Sequence, residues 1–344
     1  MNPVVSIVLP VFNETENIPE LYRQIKEVMI SVTESYEIIF VDDGSRDHSA
    51  MLIRQLNRAD ERVKLVKLSR NFGHQLALTA GLSVAAGEAV IAMDSDLQDS
   101  PAVIPTFIEQ WKRGYDVVYA VRKSRQENLI KKTAYKSFYR VLKAFSDTEI
   151  PLDSGDFSLM DRKVVDLLKS LPERARYVRG LRAWIGFNQI GVPVDRDSRF
   201  AGEAKYTLRR LFQLAMSGLI SFSVAPLRFA TGVGLMVSML SFLSVVLVCY
   251  VKIFTHFSIP GFAATASILL FLGGVQLLTV GILGEYVGRI FDEVKQRPLF
   301  IVSDSVGLGN RAPAGCDPRL REELLKGGQA FSGQALAGNT LTHV

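Results

Sequence analysis

The chain has 344 residues, 48% of them apolar and 22% charged, with a formal net charge of +5. That length suggests about two domains, and the two cysteines, Cys249 and Cys316, exclude both a disulfide framework and a cysteine metal centre. The modest positive charge favours an anionic membrane surface or an anionic substrate without selecting either.

The N-terminus, "MNPVVSIVLPVF", has no basic segment ahead of its apolar residues and opens directly into a strand-like pattern, so no cleavable signal peptide is expected. Short β-branched runs follow at Val4 to Val11, Tyr36 to Val41, Val63 to Leu68, Ala89 to Met93 and Tyr115 to Val121. Each gives way to polar or glycine-containing residues, as parallel strands buried on both faces do. Between them, "TENIPELYRQIKEVMISV", "SRDHSAMLIRQLNRAD" and "HQLALTAGLSVAAG" carry helical spacing, the second after a Ser45 or Asp47 cap. Alternating strands and helices predict a doubly wound, mostly parallel α/β sheet, which binds its ligands at the carboxyl ends of the strands.

Those ends read Pro10 to Glu14, Asp42 to Ser45, Ser69 to His74, Asp94 to Gln98 and Arg122 to Arg125. Three are acidic or amide-rich and two are basic, which suits an anionic ligand held with a divalent cation. In "VIAMDSDLQD" an apolar strand runs into Asp94, Asp96, Gln98 and Asp99. Strand alternation puts Asp94 and Asp96 on one side, with Gln98 continuing the spacing, and their oxygens suit Mg²⁺ or Mn²⁺. The competing reading is a solvated loop with a turn aspartate. Asp42 either belongs to a helix N-terminus or accepts hydrogen bonds from a base or ribose, and Glu14 is either a first-turn carboxylate or a second acceptor for the nucleoside.

Beyond Ile150 an acidic turn, "PLDSGDFSLMD", is expected to lead into a helix, followed by Tyr177 to Ile190 and the basic segment "DRDSRFAGEAKYTLRRLF". Tyr206 to Ser221 reads as an amphipathic interfacial helix carrying Arg209 and Arg210. Phe229 to Phe254 and Phe262 to Gly284 are nearly free of charge, each long enough to span a bilayer, and joined by the short "THFSIPG". Lys252, at the far end of the first run, can snorkel to the interface. Basic residues on both flanks place both ends of this hairpin in the cytoplasm. The expected organisation is a cytoplasmic catalytic domain over 1–205, interfacial helices over 206–228, two transmembrane helices within 229–288 (229–254 and 262–284), and a partly disordered tail over 289–344.

Taken in order, "VSIVLPVFNETENI", "VDDGSRD", "LSRNFGHQLALTAGL" and "MDSDLQDSP" resemble the inverting glycosyltransferases of family 2, which have the GT-A fold. The similarity is to the polyprenyl-phosphate branch, which includes bactoprenol glucosyltransferases and dolichol-phosphate mannose synthases, and it extends from about residue 4 to 295. It implies that Pro10, Glu14 and Asp42 line the nucleotide pocket and that Asp94, Asp96 and Gln98 hold the metal. It also implies an acceptor-side carboxylate at the start of a helix, offered in "DSGDF" by Asp153 or Asp156, with Asp156 favoured by the glycine before it. Arg199, Gly202, Lys205 and Tyr206 resemble a segment that closes over the diphosphate, with Ala204 in place of the usual serine. Arg122 and one of Lys132 or Lys136 are expected to contact the lipid phosphate.

The reaction so implied transfers a sugar, glucose from UDP-glucose as the leading choice, to polyprenyl phosphate at the inner membrane. A UDP-4-amino-arabinose derivative, a UDP-N-acetyl sugar or GDP-mannose are alternative donors. The acceptor phosphate is already anionic at neutral pH and needs little help from a base. The expected partners are therefore the nucleotide sugar, the lipid phosphate and the membrane, with a homo-oligomer and no nucleic acid. One rival reading is a lipid-phosphate binding or transport component. A processive polysaccharide synthase is a second rival, disfavoured because the chain has no Q-x-x-R-W motif; "RAWIGF" at 182–187 is not that motif.

Overall fold

The computed structural model describes residues 3–33, 35–122, 154–174, 176–194, 225–254, 261–309 and 311. It divides into one unit made of residues 1–126, 150–203 and 297–344 and a second made of 127–149 and 204–296.

The first unit is built on one sheet of eight strands. In chain order its elements are β1 Val5–Val11, α1 Ile18–Val32, β2 Tyr36–Asp42, α2 Ser49–Ala59, β3 Val63–Leu68, α3 His74–Val84, β4 Ala89–Ala92, a 3-10 turn at Pro101–Val103, α4 Ile104–Lys112 and β5 Val117–Arg122. They continue with β6 Ser154–Asp161, α5 Arg162–Ser170, α6 Val178–Ile185, β7 Gln189–Val194 and, near the C-terminus, β8 Val302–Val306. The spatial order is β7-β5-β6-β4-β1-β2-β3-β8. Strands β3, β2, β1 and β4 run parallel, as do β5 and β7, whereas β6 and β8 run antiparallel to their neighbours.

β1 and β2 are buried along their whole length, which is why both read as continuous apolar runs rather than alternating ones. The α1 face made by Ile18, Leu21, Ile25 and Met29 packs on one side of the sheet with Ile7, Leu9, Ile38 and Phe40. On the other side, Ala77, Leu78 and Leu82 of α3 meet Val8, Val41 and Val66. Each fully buried Val, Leu, Ile, Met or Phe among them contributes about 1.5–3 kcal/mol. Gly81 allows α3 this close approach, since a Cβ there would run into Val8 and Val41.

One expectation changes. "SGDFSLMD" is a strand, not a turn: β6 inserts antiparallel between β4 and β5, pairing Ile91 with Leu159 and Val118 with Leu159. Phe157, Leu159 and Met160 are buried on the two faces of the sheet, so the acids at either end mark where the strand emerges. The segment expected as a partly disordered tail contributes one ordered element that was not expected: β8 pairs with β3 and covers that edge of the sheet.

At the amino ends of the strands a buried polar knot joins distant segments. Ser6 Oγ donates to Glu37 Oε1 at 2.6 Å, Gly87 N donates to Ser6 Oγ at 2.8 Å and Ala86 N to Glu37 Oε1 at 2.9 Å. Arg311 closes the knot with an ion pair to Glu37 Oε2 at 2.8 Å.

In the second unit the two apolar runs form the helices α7 Ala225–Phe254 and α8 Phe262–Val294, which pack against each other. Helix α8 continues past the expected end at Gly284. Among the described residues one helical stretch, Phe271–Val294, is long and apolar enough to cross a membrane. Large apolar side chains such as Leu235, Phe242 and Ile253 on α7 and Leu277, Ile290 and Val294 on α8 are exposed.

Candidate active site

β1 lies between β2 and β4 although β3 intervenes in sequence. The carboxyl ends of β1 and β4 therefore form the topological switch point where α/β sheets bind ligands. Pro10 and the acidic loop after β4 meet there, with buried Ser95 donating through Oγ to the Pro10 carbonyl at 2.8 Å.

The neighbouring mouths are tied together. Asn13 sits at φ 57°, a left-handed conformation that asparagine tolerates. Its N–H donates to Ser45 Oγ at 3.0 Å and its Oδ1 accepts from Arg46 N at 2.9 Å. Asp47 accepts from Ser49 N at 3.0 Å and from Thr15 Oγ1 at 2.7 Å, so it both serves the start of α2 and joins the loops after β1 and β2. Glu14 is engaged locally, accepting from Asn17 Nδ2 at 2.5 Å.

The two acids after β2 differ in role. Asp43 accepts from Phe72 N at 2.7 Å and Gly73 N at 2.9 Å, anchoring the loop that starts α3. Burial pushes its carboxyl up despite those two donors. Gly44, at φ 69°, passes so close to Arg70 and Asn71 that a Cβ would strike their backbone. Asp42 is fully buried; its Oδ1 accepts from Ser45 N at 2.9 Å, and its Oδ2 has no hydrogen-bond partner among the described residues. A buried carboxylate oxygen left this way is costly unless a donor arrives from outside.

Asp156 projects from β6 into the same region. His74, the first residue of α3, places Nε2 3.4 Å from Asp156 Oδ2 and 3.4 Å from Asp94 Oδ1. Gln75 Nε2 donates to Asp156 Oδ2 at 3.0 Å, while Arg179 Nε lies 3.4 Å from Asp156 Oδ1. Burial would raise the Asp156 pKa, yet hydrogen bonding with His74 and the charges of Arg179 and Arg182 hold it well below the usual carboxylate range. For His74 burial acts downward, and hydrogen bonding to Asp156 with the charges of Asp94 and Asp156 raises it overall. Arg182 is 2% exposed, faces the Tyr119 ring at 5.1 Å and is lowered by burial to about 10, so it stays charged at neutral pH.

Ligand atoms of His74, Asp94 and Asp156 all lie within 4.8 Å of one another, a mixed imidazole and carboxylate set that suits a divalent cation. Asp96 is not in that group. Its Oδ1 accepts from Gln98 N at 3.2 Å across Leu97, which takes φ 57°. Both aspartates lie beyond Ala92, the last residue of β4, in the loop rather than on the strand.

Of the expected site residues, Pro10, Asp42, Asp94 and Asp96 gather at the strand mouths, with Asp156 facing them. Asp156 is presented by a strand and not by a helix start or a tight turn, since "GDF" continues the β6 pairing toward β5. Arg122 ends β5. Asp153, Lys132, Lys136, Arg199 and Lys205 lie outside the described residues. His74, Gln75, Arg179 and Arg182 received no role from the sequence. The mouth of β3 marks the neighbourhood of His74, but nothing in the sequence sets the two arginines on α6 apart from other helix charges.

The pattern described as Glycosyl transferase family 2 matches residues 6–168. Among the curated relatives that match most of the chain are the following three. "Uncharacterized glycosyltransferase YkcC" of Bacillus subtilis is 48% identical over 89% of this chain and 95% of the relative. "Uncharacterized glycosyltransferase sll0501" of Synechocystis is 44% identical over 88% and 96% respectively. The "SfII prophage-derived bactoprenol glucosyl transferase" of Shigella flexneri is 40% identical over 88% of this chain and 98% of the relative. With the matched segment spanning every strand mouth described above, the chain belongs to glycosyltransferase family 2 and is an enzyme of that family.

Proposed function

We propose that the protein is a membrane-bound inverting glycosyltransferase that moves glucose from UDP-glucose to polyprenyl phosphate, as the name of the bactoprenol relative suggests. The observation that carries this reading is Asp156, kept ionised by His74 and Arg179 across a crevice from Asp94 and near the buried, under-bonded Asp42. Asp42 takes the hydrogen-bond donors of the nucleoside, with Pro10 and Glu14 beside it. Asp94, Asp96 and Gln98, with His74 next to Asp94, would hold Mg²⁺ or Mn²⁺. A divalent ion there supplies charge neutralisation for the departing diphosphate.

Asp156 orients the acceptor and favours positive charge developing at the anomeric carbon, and no strong proton abstraction is needed. Arg199 and Lys205 cover the diphosphate, while Arg122 and Lys132 or Lys136 receive the lipid phosphate. Attack opposite the diphosphate inverts the anomeric centre. The exposed apolar sides of α7 and α8 support a hairpin seated in lipid, with the catalytic unit on the cytoplasmic side and a homo-oligomeric assembly in the inner membrane.

The test is transfer of radiolabelled sugar from a panel of UDP- and GDP-sugars to undecaprenyl phosphate, with Mg²⁺ or Mn²⁺ and with chelator. Metal-dependent glycolipid from UDP-glucose is the expected result. Another productive donor changes the sugar. Lipid binding without transfer from any donor overturns the reading in favour of a lipid-phosphate carrier.

A further inference from the structure

We infer that Gln75 is a positioning residue that fixes the orientation of the Asp156 carboxylate and locks it to the first turn of α6; the catalytic consequence rests on the reading above. Gln75 joins three segments that are remote in sequence. Its Oε1 accepts from Val178 N at 2.9 Å and its Nε2 donates to Asp156 Oδ2 at 3.0 Å.

The amide cannot be turned round. Val178 offers only an N–H, so the oxygen of Gln75 must face it, and the nitrogen then faces the carboxylate. Val178 is the first residue of α6, and Tyr177 ahead of it makes no side-chain cap bond. Gln75 therefore fills the place of an N-cap from another element, satisfying an amide that the helix itself leaves open. One residue further on, Arg179 reaches Asp156 Oδ1.

Both carboxylate oxygens are thus held, one from α3 and one from α6, and Gln75 is the group that touches both partners of this clasp. Unlike Arg179, it is an uncharged donor to Asp156. It sets direction without adding to the positive charge that Arg179 and Arg182 bring. Its own placement is secured by Asp43, which holds the backbone of Phe72 and Gly73 just before α3. A chain of bonds consequently runs from the end of β2 through the start of α3 to β6 and α6. A carboxylate that must face a reacting centre gains from such restraint, because small misalignments cost large factors in rate.

The experiment compares the full-length protein with Gln75→Glu and Gln75→Leu in steady-state transfer from UDP-glucose to undecaprenyl phosphate, with thermal unfolding followed in parallel. Glutamate keeps the acceptor for Val178 N but replaces the donor to Asp156 with a repelling charge; leucine loses both. The expected result is a kcat reduced about tenfold or more in both variants, at least as far for glutamate as for leucine, with the UDP-glucose KM within about twofold of wild type. Wild-type kcat in either variant, or a loss confined to the donor KM, overturns the proposal. If the wild-type protein transfers no sugar, the proposed function fails by itself. The clasp is then decided by unfolding of Gln75→Leu, Asp156→Ala and the double variant: non-additive changes in Tm support it, and additive ones overturn it.

Discussion

The two ends of the sheet hold buried carboxylates in opposite states. At the amino ends of the strands, Glu37 is 3% exposed; its Oε1 accepts from Ser6, Ala86 and Arg311, and its Oε2, which has no hydrogen bond among the described residues, is ion-paired with Arg311 at 2.8 Å. At the carboxyl ends, Asp42 is 0% exposed yet has one oxygen with no hydrogen-bond partner among the described residues. The first carboxylate is tied to a cation of the chain itself, whereas the second has an oxygen without a donor, which in the function proposed above the nucleoside supplies. The same side-chain chemistry is structural at one end and receptive at the other, and what differs is whether the chain provides the counter-group.

The largest expected effect tests the receptive end. Asp156→Asn should lower sugar transfer by about a thousandfold, measured with radiolabelled donor, because the negative charge between His74 and Arg179 is lost while its shape remains. A loss of less than about threefold would remove Asp156 from the chemistry.

Asp42→Asn sharpens the comparison by separating stability from function. It should raise the donor KM by about ten- to a hundredfold, through loss of a charged acceptor, and yet leave Tm unchanged or higher, since an uncompensated buried charge is removed. The matching change at the closed end, Glu37→Gln, should instead lower Tm. Equal responses from the two variants would break the distinction.

Arg311→Ala should destabilise the first unit by about 2 kcal/mol, because Glu37 is left buried with fewer donors, and should leave the donor KM unchanged at a temperature where the protein is folded. Denaturant unfolding with parallel kinetics checks both halves.

The smallest effect concerns acid. Asp60 accepts from Tyr22 Oη at 2.9 Å and from Arg62 Nε at 2.9 Å. Burial would raise its pKa, but these bonds lower it overall. A carboxylate with a folded pKa below its unfolded one contributes stability above the unfolded value, near pH 4, and loses it as pH falls through the folded value. Asp60→Asn should therefore flatten the fall of Tm below about pH 4 and change transfer at neutral pH little.

Much of this fold was legible in the chain because its central strands are buried on both faces. Tyr36 to Val41 and Val63 to Leu68 differ from β2 and β3 by no more than the final residue, Asp42. β6 escaped because Asp156 and Asp161 near its ends look like turn residues, and because an antiparallel strand entering a parallel sheet leaves no local mark. β8 escaped for a related reason, as its polar "VSDSV" acquires strand character only against β3.

The site divides along the same line. Sequence alone put Pro10, Asp42, Asp94 and Asp96 at the carboxyl ends of neighbouring parallel strands, because each lies at or just beyond the end of an apolar run that states where its strand stops. Tertiary structure alone decided that His74 stands between Asp94 and Asp156, that Gln75 faces Val178, and that Arg182 is buried beside Tyr119. Those contacts join residues from α3, β6, α6 and β5 whose separation in sequence is set by loops and not by any period. A side chain's chemistry is written in the chain, but which of its atoms are left for a ligand depends on what the folded neighbours have already taken.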